Sequence, residues 1–466
     1  MHRSSSPEAP GDWVDRLLLA GPDQDICLEF DRPISRAELR ELVSRRQRAL
    51  TGAGLAAGGT VALRLPPSLA CVTDLLAAWR AGAQVALLDH RLTEHEVSRA
   101  LERLAPQFLV RPSRPPAAGA LRGYLHVEPR IDALPGRPAD GDHVLVQLSS
   151  GSTGPSKVIG RTAADLAAEL GRYRRIEGFP RRGHRVVLLA SMVHVLGLVG
   201  GLLHSLHAGV RMVVPERFSV DGILRALAAA EEPTTVLGVP FHAEILASVA
   251  APPPLPRLTG MITGGEPVRQ EVWEAFTARY GATLGNMYGM TEAGVIATDT
   301  TGRHRPELAV APGMDVRVDA GEILVGRPAS PYLGAAGPAR WADGWLRTRD
   351  AGAVDPATGR LTVRGRLDSQ ISIGGLKVDL AEVEQTVRSL PQVREAVVLH
   401  GSHIEAYLAL AEPAPVAELE EALAARLAAY KRPRRLHVLP DLPRTGTGKL
   451  VRDPAALRAA AGQPAS

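Results

Sequence analysis

The chain has 466 residues, 45% of them hydrophobic and 22% charged, with a formal net charge of +4. These totals exclude disordered and collagen-like chains, and the length asks for about three packed units rather than one core. The fifty arginines are scattered without a block of like charge, so nucleic acid is not an expected partner.

In chain order, Met1 to Pro10 contains no apolar core of a secretory signal, and the expected location is the cytoplasm. Cys27 and Cys71 are too few for a disulfide framework and lack metal-ligand spacing, so both read as core thiols. Apolar runs at 61–63 and 85–88 flank a helical pattern at 68–81, which predicts a βαβ unit. The greasiest stretch, 186–214, is interrupted by Ser191, His194, His204 and Arg211 and broken by Gly197, Gly200 and Gly201. It reads as strand, helix and strand, not as membrane insertion.

Strand and helix patterns then alternate: 186–189, 197–207, 211–214, 220–230, 235–239, 241–250, 261–263 and 268–280. The expected class is α/β, with mainly parallel sheets covered by helices. After Gly321 the pattern changes to short strands at 323–325, 345–347, 353–354 and 361–363, a small antiparallel unit. The last hundred residues or so form their own α+β pattern, with strands at 370–373, 393–400, 405–410 and 436–439 and helices at 380–390 and 416–429. A boundary at 366–368 gives a large multi-subdomain N-terminal domain, 1–367, and a small C-terminal domain, 368–466.

Chemistry is concentrated in a few stretches. The apolar run 144–148 leads into Ser149, Ser150, Gly151, Ser152, Thr153 and Gly154, closed by Lys157. Glycines admit an anion close to the backbone, hydroxyls and amides donate to it, and lysine adds charge, although the same composition also makes an ordinary turn. It is not a Walker A loop, because Ser156 and Val158 depart from that pattern. Gly264, Gly265, Glu266 and Pro267 end a strand on bare backbone suited to a flat ring. Asn286, Met287, Tyr288, Gly289, Met290, Thr291 and Glu292 combine an aromatic ring, a hydroxyl and a carboxylate, which can stack a base, touch phosphate and hold Mg²⁺. Asp350 stands at a strand end where it can accept two ribose hydroxyls. The four lysines are Lys157, Lys377, Lys431 and Lys449; in a chain that otherwise uses arginine the surroundings of Lys157, Lys377 and Lys449 mark a need for a point charge, whereas Lys431 in the basic run 430–435 is consistent with chance. Lys449 lies in a Gly/Thr loop, an unusual place for a structural lysine.

In order along the chain, these stretches resemble the adenylate-forming superfamily of acyl- and aryl-CoA synthetases, peptide-synthetase adenylation domains and luciferases. In character the chain is nearest a stand-alone acyl- or aryl-acid ligase. The resemblance implies that residues 149–157 hold the β- and γ-phosphates of ATP, while Tyr288 and the 264–266 backbone enclose adenine. It implies that Thr291 contacts the α-phosphate, Glu292 ligates Mg²⁺, Asp350 binds the ribose diol and Arg366 binds on the ribose and phosphate side. Lys449 would serve adenylation. Asp368 would be the hinge of a mobile C-terminal domain, with the loop around Gly374 and Gly375 lining the thiol tunnel beside Lys377.

His194 matches the position that gates the acid pocket in the family, with Val195, Val239, Phe241, Met287 and Met290 as candidate lining. Amino-acid-activating relatives carry an aspartate for the substrate ammonium, and none stands here. The expected substrate is therefore an apolar carboxylic acid, and the expected thiol is CoA or the phosphopantetheine of an acyl carrier protein. Alternatives are transfer to an amine or another nucleophile, activation of a different oxyanion, or an inactive nucleotide-binding relative. Three departures from the family pattern stand out: Arg349 replaces a glycine before Asp350, Ser372 replaces a common lysine, and Lys377 replaces a common arginine. The short N-terminal region points, by association, to a specialised biosynthetic ligase.

Overall fold

A computed structural model of the protein describes residues 10–115, 122–148, 157–334, 340–367, 370–443 and 450–462. The chain divides into two compact units. One runs to Gly365, while the other joins Arg91–Arg103 and Lys157 to the chain from Arg366 onward.

The first unit contains two large sheets. In the seven-stranded sheet, strands Thr60–Leu63, Gln84–Leu87, Phe108–Pro112 and His143–Leu148 run parallel. The expected βαβ unit is present: helix Leu69–Arg80 connects the first two strands, and Ser68 caps it by accepting from the Cys71 amide at 3.1 Å. Trp79 on that helix is fully buried and donates to the Val144 carbonyl at 2.7 Å, which fixes the helix against the sheet. In the nine-stranded sheet the central order is Thr283–Met290, Leu258–Gly264, Thr234–Gly238, Arg185–Leu188, Arg211–Val213 and Ile26–Glu29, all parallel. Gly294–Asp299 and Ala309–Val310 then continue antiparallel from one edge.

The greasy stretch resolves into strand Arg185–Leu188, helices Leu196–Leu203 and His204–Ala208, and strand Arg211–Val213. Its first helix is wound as a π-helix. The glycines there serve close packing: a Cβ on Gly200 would lie 2.8 Å from the Tyr173 hydroxyl, and one on Gly201 would lie 2.7 Å from Leu188. Among the described residues no helix is long and apolar enough to cross a membrane. Both cysteines are buried and free, and burial pushes the Cys27 thiol up to about 11 and that of Cys71 up to about 12.

The expected antiparallel unit is a five-stranded sheet containing Val316–Asp319, Glu322–Gly326, Trp341–Ala342, Trp345–Val354 and Leu361–Arg366. One correction applies. The runs at 345–347 and 353–354 are not separate strands but the two ends of Trp345–Val354. Pairing with Glu322–Gly326 breaks register between Leu324↔Arg347 and Glu322↔Ala351, so Thr348, Arg349 and Asp350 form a bulge within one strand.

The second unit has a three-stranded sheet of Val393–His400, Ile404–Leu410 and Arg435–Leu439, with helices Leu380–Arg388 and Val416–Arg426. Strand Gln370–Ile373 pairs with Leu376–Asp379, a strand the sequence reading did not anticipate. Gly374 and Gly375, both at positive φ (55° and 79°), make the two-residue turn between them. Lys431 is a structural lysine: it is buried and contacts Glu96 at 2.9 Å and Glu382 at 3.2 Å. Burial works against its charge, but those carboxylates hold its pKa above the usual lysine range.

Two buried histidines in the first unit make stability depend on pH. Burial lowers His204 and His242 each to about 4, and His204 Nε2 lies 2.7 Å from the Pro180 carbonyl oxygen. The unfolded chain takes up protons near pH 6.5 that these folded sites refuse until about pH 4. Stability present above pH 6.5 is therefore lost as pH falls through that window, by about 2 kcal/mol per histidine at pH 5. Urea unfolding at pH 7.5 and pH 5 should show the loss, and His204→Asn should remove about 2 kcal/mol of it. An equal pH response in the variant would count against this origin.

Candidate functional site

The parallel strands of the nine-stranded sheet deliver the predicted residues to one edge, because each residue follows the carboxyl end of its strand. Strand Arg185–Leu188 leads to His194, Thr234–Gly238 to Val239, Leu258–Gly264 to Gly265 and Glu266, and Thr283–Met290 to Thr291 and Glu292. Register places Gly264 beside Met287 and Thr263 beside Asn286. Gly264 has little room for a side chain, since a Cβ there would lie 3.1 Å from Leu196 and 3.3 Å from the Met287 carbonyl oxygen. Gly265 follows at φ 97°, so this strand end presents bare backbone.

Two carboxylates converge on this edge, each held by a tyrosine. The Tyr288 hydroxyl donates to Asp350 Oδ2 at 2.6 Å, and the Tyr332 hydroxyl donates to Glu292 Oε1 at 3.1 Å. Asp350 is 6% exposed and Glu292 5%. Burial, reinforced by the charge of Glu292, pushes the Tyr332 phenol above its usual range, so it remains a donor. The Ala293 amide bonds the Met290 carbonyl at 3.2 Å, which places Thr291 and Glu292 at the centre of a tight turn.

The bulge explains how Asp350 is aimed. Its amide bonds Thr348 Oγ1 at 3.0 Å, and that hydroxyl donates to the Ile323 carbonyl at 2.8 Å. Glu322, which the sequence reading passed over, accepts from the Arg349 amide at 3.0 Å and from Arg347 Nη2 at 2.6 Å. Tyr332 was also missed. Glu322 borders the expected strand at 323–325, whereas Tyr332 lies in Tyr332–Leu333, a strand the sequence does not announce, and the partners that give both a purpose are distant in sequence.

Arg349 adopts φ 63°, the left-handed region that glycine occupies without a Cβ penalty. The departure noted in the sequence is thus accommodated at the backbone, and Asp350 keeps its supports. Arg349→Gly should relieve strain and stabilise the protein by about 0.5–1 kcal/mol, offset in part by a more flexible unfolded chain. Thermal unfolding should register a rise of ~1–3 °C. A fall of that size would contradict the strain.

Around the expected acid pocket the placements diverge. His194 and Val195 are half-buried, at the entry to helix Leu196–Leu203, where the Leu198 amide bonds the His194 carbonyl at 2.7 Å. Gln147 Nε2 donates to the Val193 carbonyl at 2.7 Å and so supports this turn. Met287 and Val239 are buried, Met290 is half-buried and packs with the Ile296 cluster, and Phe241 is 51% exposed. The structure brings Gly264, Met287 and the Leu196 side chain together, whereas Phe241 is presented to solvent.

Lys157, Arg366, Gly374, Gly375 and Lys377 belong to the second unit. Across its hairpin Ser372 faces Lys377. Ser149, Ser150, Gly151, Ser152, Thr153, Gly154, Asp368 and Lys449 lie outside the described residues. What can be described at the 444–449 loop is its base: the Val451 amide bonds the Pro443 carbonyl at 2.9 Å, and Arg452 grips Glu384 through two bonds of 2.6 and 2.9 Å.

Comparison with known proteins gives the chain's family and fold relatives. Residues 20–328 match the AMP-binding enzyme family and residues 382–449 match the AMP-binding enzyme C-terminal domain. The pyochelin synthase PchD of Pseudomonas aeruginosa (strain UCBPP-PA14) is 30% identical, the alignment covering 96% of this chain and 94% of that protein. An indoleacetate–CoA ligase of Aromatoleum aromaticum is 29% identical over 95% of this chain and 96% of that one. The o-succinylbenzoate CoA synthetase of Bacillus subtilis has a similar fold, with a TM-score of 0.79 at 24% identity over 95% of this chain and 97% of that one. With the family's signature spanning both parts of the chain and the fold shared along nearly its whole length, this protein belongs to the AMP-binding, adenylate-forming enzymes.

Proposed function

We propose that the protein transfers the adenylyl group of ATP to an apolar acyl or aryl carboxylic acid, releasing pyrophosphate, and then passes the acyl group to the thiol of CoA or of a carrier-protein phosphopantetheine, releasing AMP. The observation that carries the reading is the pair of tyrosine-held carboxylates beside bare strand-end backbone. Asp350, buried yet aimed by its bulge, suits a ribose diol, and the ring of Tyr288 that holds it suits adenine against the 264–266 backbone. Glu292 suits Mg²⁺, an ion that usually takes one or two protein carboxylates and completes its shell with phosphate oxygens and water. That ion would neutralise charge on the phosphates. Thr291, one residue before Glu292 in the turn, would contact the α-phosphate, and Asn286 and Gly289 would complete the nucleotide's surroundings.

The acid's carboxylate would attack the α-phosphorus in line, so the protein's task is to position two anions and offset their repulsion. Lys157 with Ser149–Gly154 would hold the leaving pyrophosphate, Arg366 the ribose and phosphate side, and Lys449 the carboxylate. His194, Val195, Val239, Met287 and Met290 would shape the acid pocket, with Phe241 at its mouth. Residues 368–466 would turn about Asp368 to exchange Lys449 for the Gly374–Gly375 turn and Lys377 in the thiol step. The names of the relatives support both an aromatic acid and CoA as acceptor.

Acid-dependent pyrophosphate exchange across a panel of acids, with mass spectrometry of products formed with CoA or holo carrier protein, tests the proposal. Exchange with aryl or fatty acids and a thioester product are expected. Exchange with ordinary α-amino acids alone would overturn the pocket reading, and an amide product would favour a non-thiol acceptor.

A further inference from the structure

We propose that Glu169 and Arg161 are positioning residues for the Thr291–Glu292 turn; this rests on the reading of that turn as the contact for the α-phosphate and Mg²⁺. Arg161 lies on strand Val158–Thr162, and Glu169 lies on helix Ala163–Arg175, which begins with a capping box of Thr162 and Asp165. Neither side chain reaches solvent: Glu169 is 0% exposed and Arg161 1%, with Arg161 Nη1 2.6 Å from Glu169 Oε2. A buried ion pair gains little stability over apolar side chains of the same volume, so the cost of burying two charges asks for another use.

The geometry supplies one. Glu169 Oε1 accepts from the Val295 amide at 3.0 Å, at the exit of the turn that carries Thr291 and Glu292. The preceding Gly294 is at φ 79°, and a Cβ there would overlap the Glu169 carboxylate. The hairpin pairing slips beside Gly289, the residue opposite Val295, so the turn exit is where the ladder alone fixes the backbone least. Glu169 anchors the backbone from one side while Tyr332 holds the Glu292 side chain from the other. Arg161, tied through Nη2 to the Asp165 carbonyl at 3.3 Å, sets its positive charge against the other oxygen of that carboxylate. Small losses of placement at such a site cost transition-state stabilisation without abolishing the fold.

The test replaces the pair together, Glu169→Leu with Arg161→Leu, so that the two paired charges leave at once. Hydrogen exchange of the Val295 amide, calorimetric MgATP binding and the Mg²⁺ concentration for half-maximal pyrophosphate exchange are then compared with the wild type. Faster Val295 exchange, weaker MgATP binding and a roughly tenfold higher Mg²⁺ requirement are expected, with the KM for the acid unchanged. Glu169→Gln combined with Arg161→Leu, which keeps the acceptor without leaving a buried arginine unpaired, should restore the Mg²⁺ dependence to within about threefold. Unchanged Val295 exchange and Mg²⁺ dependence in the folded double variant would overturn the proposal, as would a glutamine variant no better than the leucine pair. If the double variant does not fold, Gly294→Ala, whose methyl group enters the carboxylate's place, takes its role with the same outcomes. Absence of MgATP binding by the wild type would overturn the reading of the site, while Val295 exchange would still judge the anchor.

Discussion

Glu292→Gln is expected to slow adenylation by roughly 10²–10³-fold, the scale set by losing one preorganised electrostatic contact to the transition state. The substitution is nearly isosteric, and the amide oxygen can still accept from Tyr332, which bonds the carboxylate at 3.1 Å. The turn from Met290 to Ala293 is closed by backbone, so the fold has little reason to respond. What disappears is the negative charge that would draw Mg²⁺ onto the phosphates. Acid-dependent pyrophosphate exchange at increasing Mg²⁺ should show a lowered kcat and only partial rescue. Tyr332→Phe keeps the charge and loses one orienting bond, so its penalty should be nearer ~10-fold. If the folded glutamine variant stays within threefold of the wild type, Glu292 has no part in holding the metal.

Much of this site could be read from sequence because its residues follow strand ends, and strands announce themselves through apolar runs. Gly264 to Pro267 follow such a strand, whereas Asn286 to Glu292 stand out by composition as a Gly-bounded loop, and the strand Thr283–Met290 that carries most of them, a neighbour of Leu258–Gly264, is a correction to that reading. The βαβ unit around Trp79 was legible for the same reason, since period and capping are local properties. What escaped depends on contacts between distant segments. Tyr332 and Glu292 are 40 residues apart, Glu322 and Arg349 27 apart, and Glu169 and Val295 126 apart. No local pattern encodes those bonds. The merged strand Trp345–Val354 escaped because an arginine at φ 63° continues the strand through a bulge where sequence suggests a break. The Gly374–Gly375 hairpin is legible in principle, since adjacent glycines between strands are a turn signal, but the resemblance draws attention to those glycines as the lining of a thiol tunnel. Lys431 shows the limit of residue counting. Its place in the basic run 430–435 sets it apart from the other three lysines as a residue with no expected chemistry, and the structure gives it a use that counting does not show, buried between two carboxylates.

Lys449→Ala is the other substitution with a large expected effect, and here the two half-reactions should separate. Adenylation should fall by ~10²–10³, because in the proposed scheme an ammonium near the attacking carboxylate and the bridging oxygen would offset charge at the moment it develops. Thioester formation from premade acyl-adenylate should fall by less than about tenfold, because the proposed domain rotation removes this lysine from the site for that step. Folding should be preserved. The base of the 444–449 loop is tied by the Pro443–Val451 bond, by Arg452 on Glu384, and by Leu442 and Leu450 in an apolar cluster with Tyr407, and none of these involves the ammonium. Arginine is the informative control: a planar guanidinium carries the same charge but cannot be placed as a point, so Lys449→Arg should recover less than about tenfold of the lost adenylation rate. The chain spends fifty of its fifty-four basic residues as arginine, so a lysine retained at this position is itself consistent with that geometric demand. Equal damage to both half-reactions in the alanine variant would sink the two-conformation scheme, whereas full rescue by arginine would leave the scheme standing and reduce Lys449 to a matter of charge alone.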